Sequence, residues 1–295
     1  MIGIETQLLK GKPVANAIKS KLSKEIKKLA TQDIIPSLAV VLVGDDPAST
    51  VYVRNKQKAF ENLDCYSETF RLPAGTSESE LLDLLLMLNV GPKFHGILVQ
   101  LPLPKHIDSK KILLTISPDK DVDGFHPINL GNLLEGSPTF VPCTPNGIIQ
   151  ILKYYNIPVS GRHAVIVGRS NIVGKPMFAL LCQKFEKGNA SVTICHTGTP
   201  DITNFTKQAD IIIAAAGIPH LITGDMISKG VDIIDVGINR VDDDSIKGYH
   251  LVGDVQFDSV AGIANSVTPV PGGVGPMTIT MLLANTIQSA KNSLT

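Results

Sequence analysis

The chain has 295 residues with 27 Lys and Arg against 27 Asp and Glu, so its formal charge is zero and only 18% of its positions are charged. That length suggests two domains, each able to bury its own core, and the balanced charge offers no basic stripe for nucleic acid; the Lys-rich stretch 19–28 reads as one solvated helix face. No apolar run approaches the roughly 18 to 20 residues of a membrane span, the N-terminus lacks a signal-peptide pattern, and Cys65, Cys143, Cys182 and Cys195 form no CxxC pair, so buried thiols in a cytoplasmic protein without disulfides or zinc are expected.

Val14, Ile18, Leu22, Ile26 and Leu29 recur at helical spacing, and the apolar run 38–43 between Pro36 and Gly44 predicts a buried strand. Next come a helix over 49–63, a strand over 66–72, a helix over 78–89 with Ser77 and Glu80 as a capping box, and a strand over 97–100. The Pro- and Gly-rich stretch 136–147 carries the predicted domain boundary and leads into a helix with Thr144 as N-cap and Pro145 at its first position. Beyond it, strands over 163–167, 192–195, 211–215 and 233–236 stand apart by crossover lengths, the pattern of a parallel sheet covered on both faces. A Pro/Gly loop over 269–276 precedes a last helix over 277–287.

The segment from Val165 through Gly168, Arg169, Ser170 and Gly174 to Pro176 reads as a strand, a Gly-bearing turn and a helix. In an open α/β sheet such a turn lets a dinucleotide's phosphates meet unpaired helix amides; the plainer reading is a tight βα turn. Ser170 holds the second Gly position of GxGxxG, and the last Gly comes one residue late. Pro176 after Lys175 excludes a P-loop, and Ile172 where GxSxG needs Gly excludes a hydrolase elbow. An NAD-specific second strand usually ends in a carboxylate, whereas Cys195 is followed by His196, Thr197 and Gly198; with Arg169 in the turn, this tilts the cofactor toward NADP rather than NAD.

Asp119, Asp121, Asp123 and Gly124 open like a calcium loop, but Leu130 stands where its bidentate Glu belongs. The carboxylates then either end a loop or form a fork for a planar donor edge. Tyr52 and Lys56 lie one helical turn apart on one face. Their spacing is that of the short-chain dehydrogenase pair, yet they precede the Gly168 turn instead of following it, which excludes that family. Alone, the pair is an exposed helix face or a catalytic couple.

Six segments in order, Tyr52 to Lys56, Val99 to Pro104, Pro118 to Phe125, Gly168 to Pro176, Asp235 to Asn239 and Pro269 to Thr278, resemble the bifunctional methylenetetrahydrofolate dehydrogenase/cyclohydrolase family and span nearly the whole chain. The resemblance implies two α/β domains with a cleft between them and a homodimer. A folate-binding catalytic domain would take residues 1–143, joined by the C-terminal helix 276–295, and a Rossmann-like NAD(P)-binding domain residues 144–275. It further implies Lys56 as the catalytic lysine, Tyr52 stacking on or orienting substrate, Gln100 bonding the lysine, Asp121 gripping the pterin, and Gly272 and Gly273 lining the cleft. For the cofactor it implies Gly168, Arg169 and Ser170 at the phosphates, Thr197 near the adenosine ribose and Ile238 near the nicotinamide. Family members often carry Lys or Arg where Gly198 stands, so the NADP preference rests on Arg169. With 295 residues, two activities are expected and no added formyltetrahydrofolate synthetase domain.

Removing hydride from the methylene bridge leaves a cation delocalised over two nitrogens, a step that needs geometry and an acceptor more than proton transfer. Hydrolysing the methenyl cation needs a proton carrier, because the attacking water loses a proton and a ring nitrogen gains one. A lysine serves when desolvation or a nearby cation favours its neutral form, and a neutral partner such as Gln100 does not oppose this. A two-domain amino-acid or hydroxy-acid dehydrogenase, a dehydrogenase without the hydrolytic step, and a catalytically silent nucleotide-sensing scaffold are the alternative readings.

Overall fold

The computed structural model describes residues 5–244 and 248–294. In chain order its first half runs β1 (Gln7–Leu8), α1 (Gly11–Ala30), β2 (Ser37–Val43), α2 (Pro47–Glu61), β3 (Tyr66–Leu72), α3 (Glu78–Val90), β4 (Gly96–Val99), α4 (Ser109–Thr115) and α5 (Pro127–Glu135). The second half runs α6 (Cys143–Tyr154), β5 (His163–Val167), α7 (Gly174–Cys182), β6 (Ser191–Cys195), α8 (Thr203–Thr206), β7 (Ile211–Ala214), β8 (Asp232–Asp235), β9 (Asn239–Asp242), β10 (Tyr249–Val252), α9 (Phe257–Val260), β11 (Ser266–Val267) and α10 (Gly275–Asn292).

These elements form two compact units. One comprises Ala17–Cys143 with the chain from Ile279 onward, the other Thr144–Thr278 with the chain up to Asn16. Residues 5–16 thus depart from the expected 1–143 grouping. Two residues of β1 pair in parallel with β11, Gln7 N–H donating to Asn265 O at 2.9 Å and Leu9 N–H to Val267 O at 2.9 Å, with Leu9 fully buried. So short a strand has no periodicity to read.

In the first unit the parallel sheet runs β3-β2-β4. All of β2 is buried, as a central strand covered on both faces requires. Its Ala39, Val41 and Val43 pack with Leu81, Leu85 and Leu88 of α3. That helix starts with the predicted capping box: Glu80 N–H donates to Ser77 Oγ, and Ser77 N–H to the Glu80 carboxylate.

In the second unit the sheet order is β1-β11-β8-β7-β5-β6, all parallel pairs. The order reverses between β5 and β7, the switch point beside which open α/β sheets bind ligands. At the opposite end of the strands, Arg162 donates to Asp232 at 2.7 Å, and Asn265 and Ser266 donate to the same carboxylate. A β9–β10 hairpin lies outside the sheet. The helix expected to be capped by Thr144 begins at Cys143, and Thr144 lies within it, its hydroxyl 2.9 Å from that of Thr278.

Candidate functional site

In the first unit, α2 is set by Asp46, whose carboxylate accepts the Ser49 N–H at 2.7 Å, and by Pro47 in its first turn. Its inward stripe is Ser49, Val53, Lys56 and Phe60. Lys56 is therefore buried at 8% exposure, whereas Tyr52, one turn earlier, is 46% exposed. A lysine in an apolar stripe needs an acceptor, and Lys56 Nζ donates to Gln100 Oε1 at 3.0 Å. Gln100 follows β4, its N–H bonded to Val41 O, and its own Nε2 donates to Leu101 O at 2.7 Å. That second bond fixes which end of the amide faces the lysine.

The Asp121–Asp123 loop is held from several sides. Ile97 N–H donates to Lys120 O at 2.8 Å, and Asn285 of α10 donates to Val122 O at 2.8 Å and Val141 O at 2.9 Å. Gly124 has φ +75°, and a Cβ there would lie 2.8 Å from Pro142 N, so glycine is required. The two carboxylates differ. Asp121 is 3% exposed, and its Oδ2 accepts the His126 N–H at 2.7 Å and the Asn129 amide at 2.9 Å. Burial pushes its pKa up to about 6 despite these bonds. Asp123 is half-buried and feels the charge of Lys56. Burial raises its pKa, and the Lys56 charge and the Cys143 thiol pull it back in part.

In the second unit the turn after β5 is as tight as its sequence implies. Gly168 has φ +130°, and a Cβ there would meet Ala215 O at 2.1 Å; one at Gly174 would meet Gly168 O at 2.2 Å. Ser170 explains the departure from GxGxxG: its Oγ accepts Val173 N–H at 3.1 Å and Gly174 N–H at 3.4 Å, occupying amides at the start of α7. Beside this turn is a cavity of about 330 Å³ lined by Gly168, Arg169, Ser170, Thr197, Ala216 and Ile218 among others. Among the described residues, Arg169 is its only Lys, Arg, Asp or Glu. An anionic dinucleotide with a further phosphate on its ribose suits such a wall, and no carboxylate is there to bond ribose hydroxyls.

Residues 9–123 match the family model for the tetrahydrofolate dehydrogenase/cyclohydrolase catalytic domain, and residues 142–294 that for the NAD(P)-binding domain of the same enzymes. The chain belongs to the tetrahydrofolate dehydrogenase/cyclohydrolase family. The bifunctional protein FolD of Exiguobacterium sibiricum is 53% identical over 284 residues, covering 96% of this chain and 99% of that protein. The crystal structure of the bifunctional FolD from Campylobacter jejuni has a TM-score of 0.91 at 48% identity, covering 98% of this chain and 99% of that one. The Trypanosoma brucei FolD, complexed with NADP and an inhibitor, has a TM-score of 0.92 at 38% identity, with 98% and 99% covered.

Among the residues expected from the family's motifs, Lys56 and Gln100 are in contact, and Gly168, Arg169, Ser170 and Thr197 line one cavity. Ile238 is not among that cavity's lining residues; it is 46% exposed, with its Cδ1 3.7 Å from where a Gly275 Cβ would be. Gly272, at φ +107°, accepts the Gly11 N–H at 2.9 Å, and Gly273 O lies 1.9 Å from where a Gly11 Cβ would be, so this loop packs against the start of α1. Asp121 requires a correction. Its carboxylate is committed to the start of α5, where it complements the helix dipole, and is 3% exposed. Asp123 is the carboxylate that feels the Lys56 charge. The resemblance implied Asp121 alone, and it is the hydrogen bonds of Asp121 and the coupling of Asp123 to Lys56 that separate the two. Asn285, far away in sequence, gave no signal at all.

Proposed function

We propose that this chain oxidises methylenetetrahydrofolate to methenyltetrahydrofolate with NADP and then hydrolyses the methenyl compound to formyltetrahydrofolate. The observation that carries the reading is the buried Lys56 held on Gln100 Oε1, a proton carrier oriented by a neutral amide. Family membership over both halves of the chain favours it over an amino-acid or hydroxy-acid dehydrogenase and over a silent scaffold.

NADP, when bound, supplies the hydride acceptor. Gly168, Ser170 and Arg169 would hold its phosphates, with Thr197 at the adenosine ribose and Ile238 toward the nicotinamide. Tyr52 orients the folate; Gly272 and Gly273 would offer bare backbone to a bound ligand. Asp123, in place of Asp121, accepts the pterin's parallel amide and amino N–H donors as a bidentate pair. In the hydrolytic step Lys56 takes a proton as water adds to the methenyl carbon and returns one to the ring nitrogen when the C–N bond breaks. Gln100 holds the amine in place without adding charge. The same reading takes the protein as a cytoplasmic homodimer whose formyl product feeds purine biosynthesis.

The test is Lys56→Ala assayed in both reactions. Cyclohydrolase activity is expected to fall by about 10²- to 10⁴-fold while dehydrogenase activity falls far less. Equal loss of both would make the lysine merely structural.

A further inference from the structure

Two buried carboxylates, Asp235 and Asp254, are linked to each other, and Asp254 reaches the loop that lines the cofactor cavity. Asp235 ends β8, and its Oδ1 accepts Gly237 N–H at 3.0 Å and Asp254 N–H at 2.9 Å while its Oδ2 accepts Val255 N–H at 3.0 Å. Asp254 in turn accepts three consecutive amides, Ala216 and Gly217 on Oδ2 at 2.6 and 2.8 Å and Ile218 on Oδ1 at 3.1 Å. Its Oδ1 also accepts the Asn239 side-chain amide at 2.9 Å. Exposures of 3% and 0% leave neither to solvent, and neither forms an ion pair among the described residues. Glycines make the nesting possible: a Cβ at Gly253 would lie 1.7 Å from Asp235 Oδ2, and one at Gly237 would lie 2.2 Å from Asp254 Oδ1.

A fold does not need a fully buried anion to close a loop, because desolvating the charge costs stability that an apolar contact would not. What the arrangement achieves is direction. Three successive N–H groups converging on one carboxylate form an anion nest, and this one fixes the loop whose Ala216 and Ile218 line the cofactor cavity and whose Ala215 O abuts Gly168. The fourth bond ties the same carboxylate to Asn239, next to Ile238. We propose that Asp254 is a positioning residue for the cofactor, fixing the 216–218 wall and Asn239 through one carboxylate whose backbone is itself held by Asp235.

This rests on the NADP reading above. Burial raises the Asp235 pKa, in keeping with a carboxyl kept for its geometry. In Asp254→Asn the shape is retained, but an amide NH₂ replaces one acceptor oxygen and faces backbone donors, so the wall must shift.

NADP affinity measured calorimetrically on the full chain, alongside cofactor-free hydrolysis of methenyltetrahydrofolate, tests the proposal. Asp254→Asn is expected to weaken NADP binding at least tenfold and Asn239→Ala a few-fold, with hydrolysis within twofold of the wild type in each. Asp232→Asn, which weakens the Arg162 pair at the other end of β8, is expected to bind NADP as the wild type does. NADP binding within twofold of wild type in Asp254→Asn would overturn the proposal, as would an equal loss in Asp232→Asn. Should Asp254→Asn not fold, unchanged binding by Asn239→Ala would overturn it. Failure of the wild type itself to bind NADP would overturn the cofactor reading, and the proposal with it.

Discussion

Lys56 shows how one side chain can be given two opposing surroundings. The stripe it shares with Val53 and Phe60 removes water, and Gln100 supplies an acceptor for the buried amine. Asp121 and Asp123, two residues apart, divide their tasks by the same logic. Asp123→Asn is expected to weaken folate binding by roughly 10- to 100-fold, the worth of charge-assisted hydrogen bonds, with Asp121→Asn leaving folate affinity unchanged; equal effects in a binding titration would contradict the division. Asp121 should appear instead in stability. Its folded pKa of about 6 lies above the ordinary 3.8, so the native state holds the extra proton between those values. That contribution is full below the unfolded value and is lost as pH rises through the folded one. Urea unfolding of wild type and Asp121→Asn should therefore show the wild type gaining on the variant by roughly 1 to 3 kcal/mol as pH falls from 8 to 4; a difference independent of pH would contradict it. The residue types were legible in the sequence, as was the tie between Lys56 and Gln100 through the family's motifs. Which Asp feels the lysine's charge was not, because alternation along a loop has no fixed period.

At the scale of elements, the βα turn at Gly168 joins local chemistry to packing. Its positive φ and the approach of Ala215 O leave no room for a side chain, so Gly168→Ala must open the contact between the β5 and β7 ends. NADP affinity in that variant is expected to drop by tenfold or more, with the cofactor-free hydrolytic step retained; NADP binding as tight as the wild type's would show that the turn does not shape the site. Ser170 at the second glycine position weakened the fingerprint in the sequence, and the structure gives its reason in the Val173 and Gly174 amides it accepts. The apolar elements β2, α3, β5 and β7 were readable because their burial imposes a pattern. The two-residue β1 and β11 were not, since each exists only through its neighbour in the sheet.

Over the whole molecule, each compact unit offers one half of a two-step chemistry. The first has a buried amine whose charge a carboxylate feels, and the second has a cavity whose one fixed charge, among the described residues, is a guanidinium. A hydride acceptor alone gives a dehydrogenase; the proton carrier adds the hydrolysis. The most direct measurement is a spectrophotometric assay of the purified protein with methylenetetrahydrofolate and either NADP or NAD, following methenyl formation and then its decay once the cofactor is exhausted. Formation faster with NADP, followed by protein-dependent decay, is the predicted result. Formation without accelerated decay would contradict the role of Lys56, and no formation with either cofactor would contradict the bifunctional activity itself.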